Sequence, residues 1–224
     1  MAILRKIPLF ILLVLLSKWI GYAATSADTV PMQLLVSAFY CFGIFLSAWF
    51  VRKNTVNQQL FVKLNGHDYF VIVRNLFLQF VLYRLLRFLG VYLGLNGHSV
   101  NQAAILQHLQ DLSVAELVLM FSFIIVWGPI FEELVFRGYV MNAFTKKKLT
   151  LGMGLVSALI FAYLHLQTLF ISWDNLLVFV LYFKSGLLLA LTYRQTKKLT
   201  ASMAQHAISN VIVSIPVIIW LVNG

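Results

Sequence analysis

Acidic residues are scarce in this chain, seven against seventeen lysines and arginines. Five of them, Asp28, Asp68, Asp111, Glu116 and Asp174, fall in or beside polar breaks between apolar runs. Cysteine is scarcer still. Cys41 stands alone within an apolar run, which excludes an internal disulfide and any multi-cysteine metal site. Repetition is also missing: Leu-Asn-Gly-His occurs at Leu64 and Leu95 but is too short to define a unit. What remains is apolar. Hydrophobic residues make up 61% of the chain and charged ones 11%, with a mean hydropathy of +0.89. Soluble domains are about 45 to 50% apolar, so this composition describes an all-α integral membrane protein.

A net charge of +10 would suggest nucleic acid in a soluble protein. Here the basic residues cluster in short loops between apolar runs, which is the signature of membrane orientation, and nucleic acid is discounted as a partner. The partner that composition implies is the lipid bilayer, which the chain crosses several times.

Seven apolar runs are long enough to be read as spans: 7–24, 31–51, 69–93, 114–144, 149–170, 175–193 and 199–222. The first follows Arg5 and Lys6 and ends near Ala23-Ala24-Thr25-Ser26-Ala27, so a cleavable signal peptide is an alternative. Lys18 and Trp19 interrupt its apolar stretch, and the uncleaved helix is the favoured reading. The third run carries Arg74, Arg84 and Arg87. Arg84 and Arg87 share a helical face and should point at the bundle interior, a water-filled cavity or lipid head groups. The fourth run exceeds what a core of roughly 30 Å requires, and Gly128-Pro129 should kink or break it. Basic residues occur in the amino-terminal tail (Arg5, Lys6), the second loop (Arg52, Lys53, Lys63), the fourth (Lys146 to Lys148) and the sixth (Arg194, Lys197, Lys198). The other loops and the carboxyl terminus have none, which places the amino terminus inside and the carboxyl terminus outside. The chain is read as one integral membrane domain, 1–224, with variable amino-terminal helices over 1–95 and a motif-bearing core over 114–222.

Two carboxylates depart from this pattern. Glu132 and Glu133 lie well inside the fourth run, where each ionised group costs roughly 2.5 to 3.5 kcal/mol on the lenient insertion scale. Such residues are by default functional and partnered; a structural ion pair locking two helices is the plainer alternative. Glu133 stands four residues before Arg137, the favourable order for a helical ion pair, and Glu132 is turned about 100° away from that pair. Two histidines lie in later spans, each in an i, i+4 pair: Phe161 with His165, and His206 with Asn210. Counted from the basic loops at 1.5 Å per residue, His206 lies roughly 10 Å deep, Asn210 roughly 16 Å, and Glu132 and His165 roughly 20 to 25 Å. The fourth, fifth and seventh spans can therefore share one cavity on the cytoplasmic side or near the midplane. A desolvated carboxylate suits a general base that takes a proton from water, a histidine can orient that water, and His206 with Asn210 can donate to an oxyanion. The set reads as hydrolysis of an amide inside the membrane.

Glu132-Glu133-x-x-x-Arg137, Phe161-x-x-x-His165 and His206-x-x-x-Asn210, in that order on separate spans, resemble the three motifs of the CPBP intramembrane proteases (CAAX proteases and bacteriocin-processing enzymes, also called the Abi family), which include the type II CAAX prenyl endopeptidase. The resemblance covers about Trp127 to Asn210, with no departure at the motif positions. It implies that Glu132 activates water with help from His165, that His206 and Asn210 stabilise the oxyanion, and that Glu133 and Arg137 support them. It further implies a membrane-associated peptide or protein substrate and, for small members, a role in bacteriocin self-immunity or peptide processing at the cell membrane of a bacterium.

Three readings compete with this one or qualify it. A non-catalytic immunity protein would act by binding a membrane partner, yet binding alone has no need for two buried glutamates. A transporter using the glutamates as a proton relay would be compatible with charges in spans, but no inverted repeat is present and His206 with Asn210 would go unexplained. Two histidines and two glutamates could hold zinc. His-Glu-x-x-His is absent, and the resemblance to the prenyl endopeptidase favours water activated by glutamate without metal, so no cofactor is expected.

Overall fold

The computed structural model describes residues 6–16, 29–54, 60–95, 109, 112–143, 149–166, 168 and 170–223. Arg5, the 17–28 stretch weighed as a cleavage region, most of the 96–111 loop and the basic cluster Lys146 to Lys148 lie outside them. All regular structure among the described residues is helical. The helices are α1 (Lys6–Leu16), α2 (Val30–Asn54), α3 (Gly66–Tyr92), α4 (Val114–Ala143), α5 (Leu151–His165), α6 (Trp173–Thr196) and α7 (Leu199–Asn223). Five of these, α2, α3, α4, α6 and α7, are long and apolar enough to cross a membrane. The described part of α1 is short, and α5 stops at His165 rather than running to Phe170. At 1.5 Å per residue α5 reaches about 22 Å, less than a hydrocarbon core of about 30 Å. A bend at Leu166 follows, and the chain re-enters the bundle as α6 from Trp173.

Two acidic residues of the polar breaks, Asp68 and Glu116, serve at helix starts. Asn65 and Asp68 cap α3 reciprocally, with Asp68 Oδ2 accepting from the Asn65 N–H at 2.8 Å and Asn65 Oδ1 from the Asp68 N–H at 3.1 Å. Ser113 and Glu116 do the same for α4. Each box satisfies N–H groups that a helix start leaves without partners. Asp68 also accepts from Lys198 Nζ at 2.6 Å, which ties the start of α3 to the turn between α6 and α7.

α4 is the centre of the molecule. From Glu133 to Ala143 every residue is buried, and α2, α5 and α7 pack around it. The break expected at Gly128-Pro129 takes the form of a widened turn, not a stop. Phe123–Trp127 and Leu134–Val140 are π-helical, so α4 unwinds slightly on either side of the glutamates. The cause of the first is local. Pro129 has no N–H to donate, and a Cβ on Gly128 would stand 2.9 Å from the Phe123 carbonyl oxygen. Side chains take up carbonyls of the widened turns: from neighbouring helices Asn210 Nδ2 donates to Ile124 O at 2.7 Å and Ser157 Oγ to Phe136 O at 2.9 Å, and within α4 Asn142 Nδ2 donates to Arg137 O and Gly138 O. In a membrane these bonds are required, because no solvent substitutes for a missing partner.

α5 and α6 pack closely in antiparallel register. Ala190 lies against Gly154, and Gly186 against Ala158 and Phe161. A Cβ on Gly186 would meet Ala158 Cα and Phe161 Cδ1 at 3.1 Å, so glycine sets the separation of these helices. Arg84 is exposed and faces away from the bundle interior, 5.2 Å from the centre of the Phe80 ring, while Arg74 donates to Asn75 Oδ1 at 3.0 Å. Arg87 is half-buried.

Gly186→Val is expected to destabilise the bundle by about 1 to 3 kcal/mol through overpacking. The thermal unfolding midpoint of detergent-purified protein checks this. Gly152→Ala, at an open position in the first turn of α5, should leave the midpoint nearly unchanged.

Candidate functional site

The stretch of α4 between its two widened turns presents two adjacent glutamates to different surroundings. Glu133 is fully buried and accepts from Arg137 Nη1 at 2.9 Å, one turn further along the same helix. Arg137 is equally buried; its Nη2 donates to the Gly186 carbonyl at 2.8 Å, and its guanidinium lies 4.8 Å from the centre of the Phe161 ring. The absence of a side chain at Gly186 therefore serves twice, letting α6 approach and offering Arg137 a backbone acceptor. A buried arginine so enclosed by carboxylate, carbonyl and aromatic face has its charge compensated from three sides.

His206 of α7 completes the group around Glu133, its Nδ1 lying 3.0 Å from Glu133 Oε1. An ionised carboxylate only accepts, so His206 Nδ1 carries the proton of this bond and Nε2 is the nitrogen turned elsewhere. It is turned towards Glu132, 3.9 Å from Oε2. On the other side, His165 Nε2 lies 3.6 Å from Glu132 Oε1. Its Nδ1 is 2.8 Å from the Phe161 carbonyl oxygen, which again assigns the Nδ1 proton and leaves Nε2 facing the carboxylate. Both Nε2 distances exceed a direct hydrogen bond. Glu132 retains 24% side-chain exposure where Glu133 has none. One carboxylate is thus accessible between two imidazole nitrogens, and its neighbour is sealed behind an arginine.

Aromatic rings hold the two histidines. Phe161 lies 4.1 Å from the His165 ring and 6.0 Å from the His206 ring, centre to centre, and Phe136 meets Phe161 edge-on at 5.3 Å. Of the six residues singled out in the sequence, the structure brings Glu132, Glu133, Arg137, His165 and His206 into one cluster. Asn210 stands one turn beyond His206 and engages one amide N–H with Ile124 O, so it also anchors α7 to the first widened turn of α4. Among the described residues no set of three or more His, Cys, Asp or Glu side chains has the arrangement of a metal site. The nearest donors to such a set are Glu132 and the two Nε2 atoms.

Several polar residues of the bundle escaped the sequence reading. Tyr182 of α6 lies 4.8 Å from the His165 ring. Lys184 is buried in α6 and donates to the Gln79 carbonyl at 3.1 Å. Gln79 also reaches Ser209 Oγ at 2.6 Å, Asn75 donates to Thr192 Oγ1 at 2.7 Å, and Thr192 donates to Gln205. This ladder joins α3, α6 and α7 beside His206. A lysine and two glutamines inside apolar runs were the available signal, since buried polar groups at membrane depth require partners.

Residues 114–212 match the family model described as "Type II CAAX prenyl endopeptidase Rce1-like". A Bacillus subtilis (strain 168) protein named "Putative membrane peptidase YdiL" is 30% identical over 122 residues, covering 54% of this chain and 45% of that protein. The chain thus aligns with a little under half the length of that relative. No solved structure matches.

Arg137→Leu should leave the Glu133 carboxylate buried without its cation and cost about 3 to 5 kcal/mol. Loss of folded protein from detergent extracts measures it. Arg137→Lys, which keeps the charge but not the second donor to Gly186, should fall between that variant and wild type.

Proposed function

We propose that this chain is an intramembrane endopeptidase of the CAAX-protease (CPBP) family that hydrolyses a peptide bond with water activated by Glu132, a reading supported by the match of residues 114–212 to the Rce1-like family model. The observation that carries this reading is the unequal pair of glutamates, Glu132 accessible between two imidazole nitrogens and Glu133 sealed with Arg137. In the proposed cycle a water hydrogen-bonds to His165 Nε2 and gives its proton to Glu132 as its oxygen attacks the carbonyl carbon. The carbonyl electrons move to oxygen. That oxyanion receives hydrogen bonds from the Nε2–H of His206, which is an imidazolium from the start of the cycle to its end, and from the second N–H of Asn210. Glu132 then passes the proton to the leaving nitrogen, the carbon–nitrogen bond breaks, and a carboxylic acid and an amine are released. Glu133 accepts from His206 Nδ1 and balances the imidazolium, while Arg137 donates to Glu133 and holds it in place. The charges of Glu132, Glu133, Arg137 and protonated His206 sum to zero, which suits a site of low dielectric.

The reading includes no metal. It takes α1 and α5 as spans alongside the five long helices, giving seven with the amino terminus inside, and a membrane-associated peptide or protein as substrate. Its biological setting is the one the family resemblance implies, bacteriocin self-immunity or peptide processing at the cell membrane.

Membranes carrying wild type or Glu132→Ala at matched levels, with peptides read by mass spectrometry, provide the test. Fragments released by wild type should fall by about a hundredfold or more in Glu132→Ala, His165→Ala and His206→Ala, without loss of membrane insertion. EDTA should leave wild-type release unchanged. Normal release from all three variants would remove the catalytic assignment, and EDTA inhibition reversed by zinc would move the histidines to ligand roles. Protection of cells from a toxin by wild type and Glu132→Ala alike would favour a binding protein. For orientation, cysteines placed singly in a Cys41→Ser background at Lys63 and Lys197 should be labelled only from the inside, and one at Gly94 only from the outside.

A further inference from the structure

The family motifs account for one of the two rings that flank His165. Phe161 belongs to the same helix, four residues earlier; its ring stacks on the imidazole and its backbone carbonyl accepts from His165 Nδ1–H. The other ring is Tyr182 of α6, 4.8 Å away centre to centre and tilted 36°. Its place follows from the register of the helix pair. Ala190, Gly186 and Tyr182 are spaced by four and form one stripe of α6; they meet Gly154, then Ala158 with Phe161, then His165 on antiparallel α5. The first two positions are small, which draws the helices together. The third is a large aromatic, set where α5 comes to its end.

That end is what makes the third position matter. His165 is the last residue of α5, and the chain bends at Leu166. The His165 side chain is mostly enclosed, at 12% exposure, and Nε2 is directed at Glu132 Oε1. Rotation of the ring would break the Nδ1 bond to Phe161 O and swap the atom that faces the carboxylate. A flat aromatic neighbour resists that rotation and tolerates a transient positive charge on the imidazole.

We infer that Tyr182 is a positioning residue for His165: its ring, with that of Phe161, holds the imidazole in the Nδ1-protonated tautomer with Nε2 presented to Glu132. The inference rests on the proteolytic reading for its consequence, but its physical content concerns the ring alone. The aromatic face is what acts, so phenylalanine should replace tyrosine and an aliphatic side chain should not.

The test uses full-length protein labelled with 15N-histidine in lipid bilayers, with His165 assigned by the signal lost in His165→Gln. In wild type and Tyr182→Phe, His165 should show a single neutral tautomer protonated at Nδ1. In Tyr182→Leu and the more flexible Tyr182→Met it should show both tautomers in exchange. Peptide release that depends on Glu132 should fall about three- to tenfold in the aliphatic variants and remain at the wild-type rate in Tyr182→Phe. A single unchanged tautomer in both aliphatic variants would overturn the inference, as would a phenylalanine variant that behaves like them. Should release in wild type prove independent of Glu132, the proteolytic reading falls, while the nitrogen spectra still decide the role of the ring.

Discussion

The buried pair of Glu133 and Arg137 is the constraint around which the bundle is arranged. Neither group has measurable exposure, and removing either charge partner would leave the other stranded in a medium that cannot solvate it. The pair is compensated by contributions from three other helices. α7 supplies His206 Nδ1, α6 supplies the Gly186 carbonyl, and α5 supplies the face of Phe161. Each contribution fixes a distance between helices, so the electrostatic demand of two side chains becomes a specification for packing. Gly186 shows the coupling: a side chain there would part α5 from α6 and withdraw the carbonyl from Arg137 in one step.

Backbone irregularity in α4 supports the same centre. The widened turns at Phe123–Trp127 and Leu134–Val140 flank the glutamates, and their carbonyls are taken up by Asn210, Ser157 and Asn142. Wide turns of this kind cost helix stability and recur at functional sites. Between them the helix is regular, and Glu132 and Glu133, about 100° apart around its axis, reach separate environments. Glu133 turns into the dry core and Glu132 towards two imidazole nitrogens and an accessible space.

Division of labour between neighbouring carboxylates gives the proposed chemistry its physical basis. An ionised group locked by an arginine cannot serve as a base, but it can hold an imidazolium in place. A carboxylate with room beside it can take a proton from water. The short α5 matters for the same reason. It ends at His165 and sets that imidazole beside Glu132, between the rings of Phe161 and Tyr182.

Much of this was legible from the chain alone, for reasons rooted in the bilayer. Apolar runs must be helical where no water satisfies the backbone, so the long helices α2, α3, α4, α6 and α7 followed from hydropathy. Charges at membrane depth are costly enough to announce themselves, which marked Glu132, Glu133 and Arg137, and helical spacing aligned Phe161 with His165 and His206 with Asn210. The sequence did not reveal the early end of α5, because the residues after His165 remain apolar and hydropathy does not register a bend. Nor did it reveal the widened turns, since Gly128-Pro129 signals irregularity without choosing between a kink and a π turn. The exposure of Arg84, the carbonyl partner of Asn210 and the stack of Tyr182 on His165 depend on how helices far apart in sequence rotate against one another. That rotation is set by small residues such as Gly154, Gly186 and Ala190 meeting in register, and only the assembled bundle decides it.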